Sequence, residues 1–237
     1  MRCPIRTFIL FLTGFVFLGA SGCSDAPEKG VSQYVIKAGS IMISSEEFTE
    51  ELDLKLAAYP YDFKKNTIDY NQMVFDLVSI FSDECVLLSA AIDAGIQISD
   101  AELVEAEAFV REDYPEDSFD KMLLENAISY PYWKKRLKKN LIMDKFIQQA
   151  LRDKIEILPE DVVSFYNRHV SQESEKEPSG VVSDENKLVL QLRLEKSQES
   201  YDGWITELKK QYPVEINKKA LTLFLIDMEK SKGQTND

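Results

Sequence analysis

The stretch Ile96–His169, IQISDAELVEAEAFVREDYPEDSFDKMLLENAISYPYWKKRLKKNLIMDKFIQQALRDKIEILPEDVVSFYNRH, decides the fold. It reads as four helices in succession, each with its own start signal. Ser99 and Glu102 stand at capping-box spacing ahead of Leu103, Ala106 and Val110 at helical intervals. Tyr114-Pro115 ends that helix, because the residue before a proline is pushed out of the α region. Ser118 then caps a short helix carrying Phe119, Met122 and Leu123, and Asn126 is placed to take the left-handed conformation at its end. Ser129 precedes a long helix with Pro131 in its first turn, where a missing N–H costs little. The apolar positions of this helix are Trp133, Leu137, Leu141, Phe146, Ala150 and Leu151. Pro159 opens the fourth helix, in which Val162 and Tyr166 lie one turn apart.

Upstream, Tyr34–Lys37 and Ser40–Ile43 read as two short strands around Ala38-Gly39. Ser44 and Glu47 then box a helix with Phe48, Leu52 and Leu56, which ends by Pro60. The helix from about Tyr70 to Ala94 is the most apolar after the leader. Val74, Leu77, Val78, Phe81, Cys85, Leu88 and Ile92 recur at three or four residues, a stripe wide enough to be covered by several partners. Downstream, residues 171–185 are acidic, Ser-rich and broken by Pro178 and Gly180, which makes them a linker. Leu188, Leu190, Leu192 and Leu194 alternate as a strand would, but the pattern from Glu195 onward has the helical period, and helix is the reading taken to about Gln211. Val214–Asn217 reads as a strand able to pair with the N-terminal hairpin, and Lys218–Met228 as a last short helix.

The N-terminus is an address. Arg2 and Arg6 precede an apolar run from Phe8 to Gly19, too short to span a bilayer, and Ala20-Ser21-Gly22-Cys23 closes it. This ending is similar to a lipobox, with Ala20 where Leu is usual, so Cys23 becomes a lipidated N-terminus. Ser24 rather than Asp after it favours the outer over the inner membrane, by analogy with other bacterial lipoproteins. The organisation is therefore a signal peptide over 1–22, a tether over 23–33, a helical core over 34–170, the linker over 171–185, a completing helix and strand over 186–230, and a disordered tail over 231–237.

Charge and composition remove several classes of function. The chain of 237 residues carries a formal charge of −13, which becomes −15 when residues 1–22 leave with their two arginines. Such a chain is unsuited to nucleic acid, whose phosphates require Lys and Arg surfaces. No glycine pattern forms a P-loop or dinucleotide turn, so no nucleotide or other cofactor is implied. There is one histidine, His169, and no second His or Cys at metal-ligand spacing. No G-x-S-x-G elbow is present. With Cys3 in the leader and Cys23 lipidated, Cys85 stands alone on the apolar stripe as a small buried hydrophobe. The chain reads as a non-enzyme.

The ordered set from Ala94-Gly95-Ile96 through Ile98–Leu103, Tyr114–Leu123, the long basic helix and Ile155–Val162 with Phe165, Tyr166 and His169 resembles the N-terminal domain of the SurA, PrsA and PpiD group of periplasmic folding factors. The strand–Gly–strand–helix opening is similar too, with Ala38 in place of the usual turn Asn and a hairpin one residue longer. The resemblance implies a mainly α fold with a small β element made by the N-terminal hairpin and a C-terminal strand. In that group a parvulin-type prolyl isomerase domain is usually inserted where residues 171–185 stand, and fifteen polar residues are far short of the roughly 50 a domain needs.

The resemblance and the surplus of apolar side chains together point to an ATP-independent periplasmic holdase. Its partners are unfolded or nascent envelope proteins, and the N-terminal lipid fixes it to the membrane. The alternative is an accessory lipoprotein of an export or envelope complex with one fixed partner. Client-binding candidates are Tyr59, Tyr61 and Phe63 in the Ala58–Phe63 loop, Met73 on the apolar helix, and Tyr130, Tyr132 and Trp133 around a helix start. Each has two readings, groove or core packing. The basic run Lys134–Lys139 also has two: a solvated face balanced by nearby acidic helices, or a patch for acidic clients or headgroups.

Overall fold

The computed structural model describes residues 34–115, 118–170 and 185–227. The expected signal peptide, Cys23 and tether lie outside the described residues, as do positions 171–184 of the linker, the tail over 231–237 and the side chain of His169.

The chain opens with a hairpin, β1 (Tyr34–Ala38) and β2 (Ile41–Ser44), followed by α1 (Ser45–Ala57) and a 3-10 turn at Phe63–Lys65. Then come α2 (Thr67–Asp93), α3 (Asp100–Glu112), α4 (Ser118–Glu125), α5 (Tyr130–Ala150), a second 3-10 turn at Arg152–Lys154 and α6 (Pro159–Val170). After the linker, α7 (Glu185–Gln211), β3 (Val214–Ile216) and α8 (Lys218–Leu221) complete the fold. It is mainly helical, with one antiparallel sheet in the order β2-β1-β3.

Most helix boundaries follow local chemistry. Ser44, Ser99 and Ser129 cap α1, α3 and α5, each side chain accepting from the backbone N–H three residues on. At Ser99 the reciprocal bond from its own N–H to Glu102 Oε2 (2.8 Å) completes the capping box. Gly95 takes φ +70° after α2, and Ile96 N–H donates to the Ala91 carbonyl at 2.9 Å, the hydrogen bond of a left-handed helix end.

α2 is the axis of the core. Val74, Leu77, Phe81, Cys85 and Val86 are fully buried on it, and the helix touches β1, β2, α5 and α7. The expected stripe therefore holds as far as Leu88, whereas Ile92, in the last turn, is exposed. The hairpin lies against this helix at Gly39, which has φ +55°. A Cβ there would come within 2.8 Å of Ser89 Oγ, which itself donates to the Ala38 carbonyl at 2.6 Å. The register of β1 against β2 shifts between Tyr34 and Ile36.

The chain ends meet. β3 pairs with β1 through Ile36↔Ile216, Lys37↔Glu215 and Ala38↔Val214, which makes β1 the central strand and buries Val35 and Ile36 together. Tyr212 Oη donates to Asp93 at 2.8 Å, and Phe224 packs on Phe48 with ring centroids 4.6 Å apart. Two sequence expectations are corrected here. The last helix stops at Leu221 rather than Met228, because Asn71 holds Ile226 by two hydrogen bonds, to its carbonyl (2.8 Å) and from its N–H (2.9 Å), and draws the backbone off the helical path. The left-handed residue after α4 is Ala127 (φ +53°) and not Asn126. Ala127 and Ile128 N–H groups bond to the Leu124 and Leu123 carbonyls, while Asn126 satisfies Met122 with its side chain.

Candidate functional site

α1 carries one face with a regular spacing, Glu46, Glu50, Asp53 and Ala57, at intervals of four, three and four residues. Its opposite face buries Phe48 and Leu52 in the core. The outward face forms one side of an open groove composed of four adjoining clefts.

The first cleft, about 350 Å³, lies between Glu46 and Glu50 of α1 and Pro131, Tyr132 and Lys135 of α5. The second, about 370 Å³, shares Glu50, Ser129 and Tyr132 with it and continues along Asp53 and Ala57 opposite Ala127 and Ile128. The third, about 570 Å³, starts from Asp53 and Ala57 and reaches Tyr59, Tyr61 and Phe63. The fourth, about 540 Å³, shares Tyr59 and Phe63 and ends over Lys55 and Met73.

Five of the seven candidate residues therefore belong to one groove. Tyr61 is fully exposed, and Tyr59 stacks on Phe63 with centroids 4.2 Å apart. Tyr132 donates from Oη to Glu51 Oε2 at 2.6 Å; burial, then the Glu51 carboxylate, push its pKa upward, so the phenol stays neutral. Met73 is 7% exposed and packs with the core at the end of the groove. Tyr130 and Trp133 are not brought to it. One turn apart on α5, they face α3 and α4, where Trp133 meets buried Phe119 edge-on at 4.8 Å and Tyr130 donates to Glu107 Oε1 at 2.7 Å. Arg111 also lies over the Phe119 ring, 4.2 Å from its centroid.

Four of the five cations of the α5 run pair with carboxylates of neighbouring helices, while Lys138 is exposed. Arg136 reaches Glu84 at 2.6 Å, and Lys139 bridges Glu84 at 2.7 Å and Glu47. Lys135 also reaches Glu47 (3.3 Å), and Lys134 reaches Glu107 (3.1 Å). The Glu84 side chain is 3% exposed, so Arg136 and Lys139 belong to an interior network joining α1 and α2 to α5, while Lys135 and Lys138 stay on the solvated side of the helix. Burial works to raise the Glu47 pKa, but the hydrogen bond from Lys139 and the charges of Lys139 and Lys135 outweigh it and leave that pKa lowered. Cys85 sits beside the network; burial and then the Glu84 charge push its thiol up to about 12, which removes thiolate reactivity.

Sequence reasoning found the aromatic ends of the groove and missed its middle. Glu50, Asp53, Leu54 and Ala57 line it, and the signal was available as an unbroken outward face on α1. Among the described residues no three His, Cys, Asp or Glu side chains are grouped to hold a metal ion, and no helix is long and apolar enough to cross a membrane.

The structure is a mainly helical domain built on one buried helix, with an open groove along α1 that carries aromatic side chains. The chain belongs to the family of the SurA-like N-terminal domain, whose model matches residues 3–147. The family is periplasmic, of chaperone type, and associated with unfolded proteins in general. No curated protein matches the chain. The family match ends within α5, so α6, α7, β3 and α8 lie beyond it.

Proposed function

We propose that this protein is an ATP-independent holdase of the bacterial periplasm, lipid-anchored through Cys23 and devoid of prolyl isomerase activity, which shields unfolded envelope proteins in the groove along α1. The observation that carries the reading is the continuity of the groove: Tyr132 at one end and Tyr59, Tyr61 and Phe63 at the other are joined through shared lining residues. Aromatic side chains supply large contact area with loose geometric demands, which suits many clients better than one. An open groove also matches a holdase that must release its client without ATP, since ordering a flexible chain offsets much of the contact energy. The absence of isomerase activity rests on chain length: fourteen residues, 171–184, separate α6 from α7, and a domain requires roughly 50. The lipid anchor rests on Ala20-Ser21-Gly22-Cys23.

The test is suppression of aggregation. An unfolded outer-membrane β-barrel protein is diluted into buffer with increasing amounts of the purified protein, without ATP, and light scattering is followed. Suppression near stoichiometric ratio supports the holdase. No suppression at excess overturns it in favour of an accessory lipoprotein with one folded partner. A proline-peptide isomerisation assay run in parallel should show no rate increase.

A further inference from the structure

The groove has two chemically different ends, and their difference names the client. At the α5 end, Glu46, Glu50 and Asp53 line the clefts and make no ion pair among the described residues. The one cation there, Lys135, is already paired with Glu47. Of the other cations of the α5 run, Lys134, Arg136 and Lys139 are paired with Glu107, Glu84 and Glu47, and the exposed Lys138 does not line these clefts. The far end holds Tyr59, Tyr61 and Phe63, with Lys64 and Lys65 beside Asp62, so it is aromatic and close to charge-balanced. A segment lying along α1 therefore meets negative field first and aromatic surface second.

We propose that the groove selects extended client segments in which lysine or arginine is followed, or preceded, at about four to five residues by an aromatic side chain. The inference rests on the holdase reading and specifies which segments of an unfolded chain it holds. The spacing comes from α1 and the turn after it: Glu50 lies seven residues, roughly 10 Å at helical rise, before the helix end at Ala57, with Tyr59 two residues beyond, and an extended chain covers that span in about four residues. Charge complementarity of this kind steers encounter and discriminates against the opposite sign more than it adds affinity. It also inverts the idea that the α5 basic run receives acidic clients, because all of that run but Lys138 is already paired with carboxylates of neighbouring helices.

Two fluorescein-labelled peptides test this by anisotropy with the purified protein: Lys-Ala-Lys-Ser-Gly-Tyr-Ala-Phe and its charge-inverted form with glutamate for lysine. The lysine peptide should bind about tenfold tighter than the glutamate peptide, and the gap should close as salt rises from about 50 mM to about 0.5 M. The double variant E50K/D53K should reverse the preference. E199K/D202K, an equal charge change on exposed positions of α7, should leave it intact, and circular dichroism checks that both variants fold. Equal binding of the two peptides overturns the proposal, as does an unchanged preference in E50K/D53K. If neither peptide binds while the protein still suppresses aggregation, the groove assignment falls and the holdase reading stands. If suppression is absent but the lysine peptide binds with the stated preference, the groove assignment stands and the holdase reading falls.

Discussion

Replacing Glu84 with glutamine tests the interior network most directly. The Glu84 carboxylate is 3% exposed and receives Arg136 at 2.6 Å and Lys139 at 2.7 Å, two cations whose side chains are themselves only 21% and 15% exposed. Glutamine keeps the shape and one acceptor but removes the charge, leaving both cations short of a counter-charge in a desolvated site. Removing one partner of a buried ion pair costs about 3–5 kcal/mol. Glu51 (3.8 Å from Arg136) and Glu47 remain to share the load, which places the expected loss at the lower end, about 3 kcal/mol. For a domain of this size that is a fall in Tm of roughly 6–12 °C. Urea titration followed by circular dichroism reads the free energy, and calorimetry reads the Tm. Lys121→Ala is the reference: its pair with Glu125 is 73% and 63% exposed and should contribute at most a few tenths, about 0.3–0.5 kcal/mol. A Glu84→Gln loss under about 1 kcal/mol, no larger than a surface pair, would refute the argument that α5 is locked to α1 and α2 by desolvated charge.

Other outcomes follow from the same structure. Stability should be level between about pH 5.5 and 8 and fall as pH drops toward 2. Glu102, held at about 2 by Lys145 and Ser99, and Glu47, held low by Lys139 and Lys135, keep their charge in the fold after the unfolded chain has begun to bind protons, a trend that pH-dependent urea titration measures. Cys85 should not react with a thiol reagent at neutral pH until the protein is unfolded, since it is fully buried with a pKa near 12. Ala127→Gly should raise stability by up to about 1 kcal/mol, because the alanine is held at φ +53°. Trp133→Glu should lower stability by about 3 kcal/mol while sparing peptide binding, because its ring packs on Phe119 on a face away from the groove; loss of binding in a folded variant would contradict this placement.

Local chemistry was enough to place most elements and too little to place the site. Ser44, Ser99, Ser129, Gly95 and Pro159 mark helix ends through bonds or dihedrals that span only a few residues, so they are legible in order along the chain. Ala127 escaped because nothing in its side chain advertises a left-handed conformation; the backbone bonds from Ala127 and Ile128 to α4 impose it. Leu221 ended the last helix early because of Asn71, more than 100 residues away in the chain. Tyr130, Tyr132 and Trp133 looked alike as a cluster. About 100° of helical rotation per residue separates them, and only the neighbours on each side determine that Tyr132 faces α1 while Trp133 faces Phe119.

What the sequence by itself determined is the set of elements and the family: capping residues, proline stops and the 3.6-residue period of apolar side chains act over a turn or two, and their order along the chain is what the family shares. What only the tertiary structure decided is which charges are spent and which are free. In sequence the basic run could be a solvated face balanced by acidic helices or a patch for acidic clients, and only the docking of α1, α2 and α3 brings Glu47, Glu84 and Glu107 against Lys134, Lys135, Arg136 and Lys139. The same packing leaves Glu46, Glu50 and Asp53 lining the groove with no ion pair among the described residues. Coulombic pairing depends on distance in space, and residues separated by 27 to 92 positions in the chain meet only when the helices dock.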